Sequence, residues 1–93
     1  MNKKKLIIAR NRIDKIDEKI FQLIKKRTIV VKYMMRVKKF KKQIVDHKRI
    51  NEILKKIKVK SVKNKIDTKL TKRIWKSMIW SYVDFQKRNF NKK

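Results

Sequence analysis

The sequence predicts an all-α fold of three helices, long, short and long, that pairs with a second copy of itself. Three observations carry this. The chain has no Gly and no Pro among its 93 residues. Those are the residues on which tight β-turns and phosphate-cradling loops depend. Apolar residues recur at seven-residue steps through an unbroken first third. A chain this short buries a limited core alone, and oligomerisation often makes up the shortfall.

The first helix is predicted over residues 5–39. One apolar row runs Leu6, Ile13, Ile20, position 27 and Met34, and the other runs Ala9, Ile16, Leu23, Val30 and Val37. Together they form the a/d seam of helices packed side by side. Such a helix is roughly 52 Å long at 1.5 Å per residue. That exceeds the width of a compact globule of this size, so a second copy of the helix is the natural partner.

Residues 39–43 lose the period and read as a loop. Asp46 can cap a second helix by accepting from its orphan N–H groups. Ile50, Ile53, Leu54 and Ile57 then share one face. Residues 58–64 are polar and irregular and read as the second connection. Asp67 or Thr68 can cap the third helix, whose stripe runs Leu70, Ile74/Trp75, Met78/Ile79, Tyr82/Val83, Gln86 and Phe90. With no internal repeat and no boundary signal, residues 1–93 read as a single domain.

Composition excludes several classes. Without Cys there are no disulfides or thiolate metal sites, and the single His47 leaves no His cluster; it is assigned no role. The apolar run Leu6–Ala9 ends at Arg10 after four residues, short of the roughly 7–15 of a signal peptide. No stretch approaches the ~20 apolar residues of a membrane span. The expectation is a soluble, cytoplasmic protein without a membrane partner.

Lys and Arg total 32 against 7 acids, a net charge of +25. This could mark a polyanion binder. The lysines are spread along the whole chain, however, and Lys, Ile and Asn are all abundant, as in AT-rich coding sequence. Nucleic acid is therefore not the expected partner, although the positive field would speed capture of any small anion.

The informative residues are polar ones in apolar seams. Arg27 takes an "a" position between Leu23 and Val30. A buried guanidinium is costly unless it meets an anion. An acid on another helix or a register-setting role are the alternatives to a ligand, but seven acids make a structural partner scarce. A bound anion is the preferred reading. Lys38 lies eleven residues on, about three turns, nearly on the same face. Arg10 lies seventeen residues before Arg27, roughly 100° around the helix, so it does not easily serve the same site in its own chain and could serve that of a partner chain; taken alone, Lys38 and Arg10 each read as solvated surface. Gln86 interrupts the third-helix stripe and needs hydrogen bonds. Arg49 flanks the apolar face of the second helix. Asp14 and Asp17 would most simply pair with Arg10 or lysines one turn away. Trp75, Trp80 and Phe85, at helical spacing, read as core or interface.

The run Arg10-x-x-Ile13-Asp14-x-Ile16-Asp17-x-x-Ile20-x-x-Leu23-Ile24-x-x-Arg27, with Lys38 eleven residues on, Arg49 on the second helix and Gln86 near the end of the third, resembles the all-α chorismate mutase family (type II). The resemblance spans about residues 6–90. It implies an intertwined homodimer with two sites, each completed by Arg10 of the other chain. It implies that Arg10 and Arg27 hold the two carboxylates of a chorismate-like substrate, and that Lys38 and Gln86 donate to the ether oxygen of the breaking C–O bond. Arg49, Asp46, Ile50 and Tyr82 complete the implied substrate-binding set. No cofactor or metal is implied.

Two positions depart from the mutase pattern. Ile50 stands where many mutases have Glu, and Tyr82 where many have Ser; the loop from Lys38 to Arg49 is also about one residue short. These features are similar to the isochorismate-pyruvate lyase branch, which forms salicylate and pyruvate. The expectation is a stand-alone chorismate mutase of phenylalanine and tyrosine biosynthesis, with the lyase as the alternative and a basic nucleic-acid-binding protein as a more distant one.

Overall fold

The computed structural model describes residues 2–91. Three α-helices and one 3-10 turn make up its elements: α1 (Lys3–Val37), the turn (Lys41–Gln43), α2 (His47–Lys63) and α3 (Thr68–Asn89). There is no strand among the described residues, and the long–short–long all-α prediction holds. No helix among them is long and apolar enough to cross a membrane. By packing, the chain divides into two units, residues 1–33 and 34–93.

The first unit is helix α1 up to Tyr33. The helix starts two residues earlier than the periodicity indicated, because Asn2 caps it. The Asn2 side-chain carbonyl accepts from the Lys5 amide at 3.2 Å, and its backbone carbonyl accepts from Leu6 at 3.2 Å. Ordinary helix formers follow without a break, so propagation adds one hydrogen bond per residue. The predicted seam is laid bare: Ile13, Ile16, Ile20, Leu23 and Val30 are all exposed, Leu23 by 62%. Val31 is the buried side chain of this helix. Asp14 and Asp17 are exposed and form no ion pair among the described residues; the pairs there are Arg49–Glu52 and Arg88–Asp84. At exposed sites such pairs are worth little.

The second unit begins with the last turn of α1, which ends at Val37, two residues short of the expected end. The stretch expected to be a loop contains the 3-10 turn. Gln43 organises it: its side-chain carbonyl accepts from the Lys39 and Phe40 amides, each at 2.8 Å. Those amides would otherwise be orphans beyond the helix end. Ile44 follows and is buried. Asp46 caps α2 as predicted, accepting from the Arg49 amide at 3.0 Å.

The second connection corrects the sequence reading. Residues 58–64 are not an irregular link; α2 continues to Lys63. Ser61 sits one turn beyond Ile57 on the packed face and is 3% exposed. Its hydroxyl lies 2.6 Å from the Ile57 carbonyl and 2.7 Å from the Thr71 hydroxyl of α3. A buried hydroxyl with such partners carries little desolvation cost. The helix stops in a Schellman turn. Lys65 takes the left-handed position at φ 56°, Ile66 N–H donates to the Ser61 carbonyl at 2.9 Å, and Lys65 N–H donates to Val62 at 3.2 Å.

Of the two predicted caps for α3, Asp67 serves, accepting from the Lys69 and Leu70 amides at 2.8 and 3.2 Å. Helices α2 and α3 pack against one another. Ile44, Ile50, Ile79 and Val83 form the buried apolar set of this unit, with Ser61 and Gln86 as its buried polar members. The α3 stripe divides. Thr71, Trp75, Met78, Tyr82 and Phe85 are half-buried along the packed line, whereas Leu70 and Ile74 are about half exposed. Adjacent residues point roughly 100° apart on a helix, so the two lie beside that line.

Candidate functional site

The centre of the site is a contact between residues 48 apart in sequence. Lys38 follows the last turn of α1, where its backbone N–H closes onto the Met34 carbonyl at 2.9 Å. Its Nζ donates to Gln86 Oε1 at 2.9 Å. Gln86 is 7% exposed on α3, and its Nε2 donates to the Tyr82 carbonyl one turn back, at 3.3 Å. The carboxamide orientation follows from these two bonds: oxygen toward the ammonium, nitrogen toward its own helix. An amide nitrogen carries two N–H groups, so the bond to Tyr82 uses one of the two.

Electrostatics at this point are asymmetric. Burial of the half-buried Lys38 lowers its pKa below the ordinary 10.5, and the Asp46 carboxylate opposes that by raising it. Desolvation disfavours the charged amine, and a nearby opposite charge restores it. The cap of α2 thus holds the acid that partly offsets the burial of Lys38.

The other predicted residues divide between the two units. Within the second unit, Arg49 is exposed and its Nη1 lies 3.8 Å from the Glu52 carboxylate. Glu52 was not singled out by sequence; its i,i+3 spacing from Arg49 was the available signal. Ile50 is buried in the unit's apolar core. A carboxylate there would carry a heavy desolvation cost. Tyr82 is half-buried, its ring edge-on to Phe85 at 6.3 Å between centroids. His47, given no role, meets the Trp80 ring at 6.3 Å. In the first unit, Arg10 is exposed and Arg27 is half-buried, with its Nη1 out of solvent. The buried guanidinium expected from the seam pattern is therefore only partly withdrawn from water.

Lys38, Gln86, Tyr82, Asp46 and Ile50 thus belong to one unit, with an ammonium and a carboxamide hydrogen-bonded at its centre. The sequence model of the chorismate mutase type II family matches residues 9–87 of the chain. That span contains Arg10, Arg27, Lys38, Asp46, Arg49, Ile50, Tyr82 and Gln86. No curated protein and no solved structure matches it. With more than four-fifths of its length matched and an all-helical fold, the chain belongs to the chorismate mutase type II family.

Proposed function

We propose that this protein is a chorismate mutase, converting chorismate to prephenate in a homodimer with two sites. The observation that carries the reading is the Lys38–Gln86 pair, an ammonium and an amide held 2.9 Å apart where the family match runs through both residues. The Claisen rearrangement breaks a C–O bond as a C–C bond forms, with no nucleophile. What a protein contributes is confinement of the reactive conformer and donors for the charge that grows on the ether oxygen. Lys38 and the second N–H of Gln86 are the donors in this reading. Arg27, Arg49 and the Arg10 of the other chain grip the substrate carboxylates, for which the planar guanidinium is suited. Asp46, Ile50 and Tyr82 border the substrate. The bare seam of α1 supports the dimer, since exposed contiguous apolar surface marks an interaction site.

One observation favours a second reading, isochorismate-pyruvate lyase. Ile50 is apolar and buried, so the position offers no carboxylate to a substrate hydroxyl, and Tyr82 brings a bulky ring where a small hydroxyl is common. The same donors at the ether oxygen serve that elimination too.

Incubating the purified protein with chorismate and, separately, isochorismate tests both. Prephenate from chorismate is the expected product. Salicylate and pyruvate from isochorismate, at the higher efficiency, would assign the lyase, and turnover of neither would reject both. Lys38→Ala is expected to lose about 10²-fold or more in kcat, as for removal of a transition-state donor. Near-normal turnover by that variant would refute its role.

A further inference from the structure

Helices α2 and α3 flank a half-open cavity of about 370 Å³, lined by Leu54, Ile57, Thr68, Thr71 and four exposed lysines, Lys55, Lys58, Lys69 and Lys72. None of the residues of the Lys38–Gln86 centre lines it. No acid lines it either. The nearest acids in sequence are already engaged: Glu52 faces Arg49, and Asp67 is held by the Lys69 and Leu70 amides. The floor is apolar, from the half-buried Leu54 and Ile57. The walls are cationic, with two lysines from each helix at i,i+3 spacing. A cavity of this volume is roughly 9 Å across, comparable to the Debye length of about 8 Å at physiological salt, so salt screens its cations from a shared guest only in part.

We infer that this cavity binds a small anion carrying two or more phosphate groups. Three features select that chemistry. Four ammonium groups without a carboxylate call for a multiply charged guest rather than a single charge. All four are Lys, whose compact ammonium serves phosphate as a point charge. The apolar floor accommodates the uncharged body of such a ligand, as in a nucleoside di- or triphosphate. The spread of lysines over the chain gives the molecule its charge; the confinement of four of them around one cavity gives this site its selectivity.

The test is titration calorimetry at 150 mM salt with inorganic tripolyphosphate and with ATP, each against wild type, K58Q/K69Q and K4Q/K5Q. The expected result is saturable binding of one tripolyphosphate per chain. It should weaken tenfold or more in K58Q/K69Q and less than twofold in K4Q/K5Q, which removes the same charge from the start of α1. ATP binding more tightly than tripolyphosphate would extend the inference to the apolar floor; equal affinity would confine it to the phosphates. Equal weakening in both double variants, non-saturating heats, or citrate binding as tightly as tripolyphosphate would overturn the site. So would binding of duplex DNA without binding of tripolyphosphate. Should K58Q/K69Q fold poorly, amide chemical-shift mapping on the wild type decides the matter: residues 54–58 and 68–72 should move most, and diffuse movement elsewhere overturns it.

Discussion

Lys38 is at once the donor of the proposed chemistry and a strained charge, since burial lowers its pKa and Asp46 raises it. The sign has two consequences. An amine whose folded pKa lies below its unfolded 10.5 makes the folded state less stable wherever it is protonated in both states. That penalty is relieved as pH rises through the lowered value. Activity runs the other way, because only the ammonium donates strongly. The proposed turnover should fall at alkaline pH with a midpoint below 10.5. Asp46→Asn, which keeps a capping side chain, should move that midpoint further down; an unmoved alkaline limb in this variant would remove Asp46 from the electrostatics of the site. Lys65 offers a separate check. A non-Gly residue in the left-handed region costs about 1 kcal/mol or more, so Lys65→Gly is expected to raise stability by up to about 1 kcal/mol, read by chemical denaturation. At this scale the sequence marked Arg27 and Gln86 as candidates, through polar side chains in apolar rows. It could not show that Gln86 would orient toward Lys38, because that depends on where two distant helix ends meet.

At the scale of elements, capping and periodicity were legible wherever a single residue type decides the outcome. Asp46 and Asp67 start α2 and α3 as their chemistry requires. Asp67→Ala should therefore cost about 1 kcal/mol, measured as a lowered denaturation midpoint with an unchanged slope. The end of α2 was not legible. A run of lysines with Ser and Asn looks like a loop by polarity, yet it contains no true helix breaker, and Ser61 is polar only until Thr71 is brought beside it. Tertiary pairing turned an apparent break into a packed turn. Ser61→Ala tests this: it removes the inter-helix hydroxyl contact and should destabilise by about 1 kcal/mol. A neutral effect would mean that the extra turn of α2 stands on its own helical propensity.

At the scale of the molecule, the exposed apolar seam of α1 is the surface that the proposed dimer would cover. In the dimer proposed here, that seam is the contact between two long helices, so Leu23→Lys should shift sedimentation from dimer toward monomer. Thermal stability of the wild type should rise with protein concentration, as it does for associating chains. Mixing Arg10→Ala with Arg27→Ala chains should restore activity to heterodimers that carry one intact site; failure to recover any activity would rule out sharing across the interface. The apolar rows of α1 were legible because a heptad pattern depends on the sequence alone, and in the single chain those side chains are exposed.

One bond also sets a clock. Lys38 sits where a helix is weakest, on the turn whose backbone has no further turn to hold it. Terminal turns open far more readily than helix interiors, and here the side-chain bond to the buried Gln86 pins that turn to α3. The amide of Lys38 should therefore exchange with deuterated solvent more slowly than a frayed end would. Gln86→Leu should speed that exchange while amides in the middle of α2 keep their rates. A single amide signal would then report how often the donor pair comes apart, and so how often the protein is ready to trade its own partner for another.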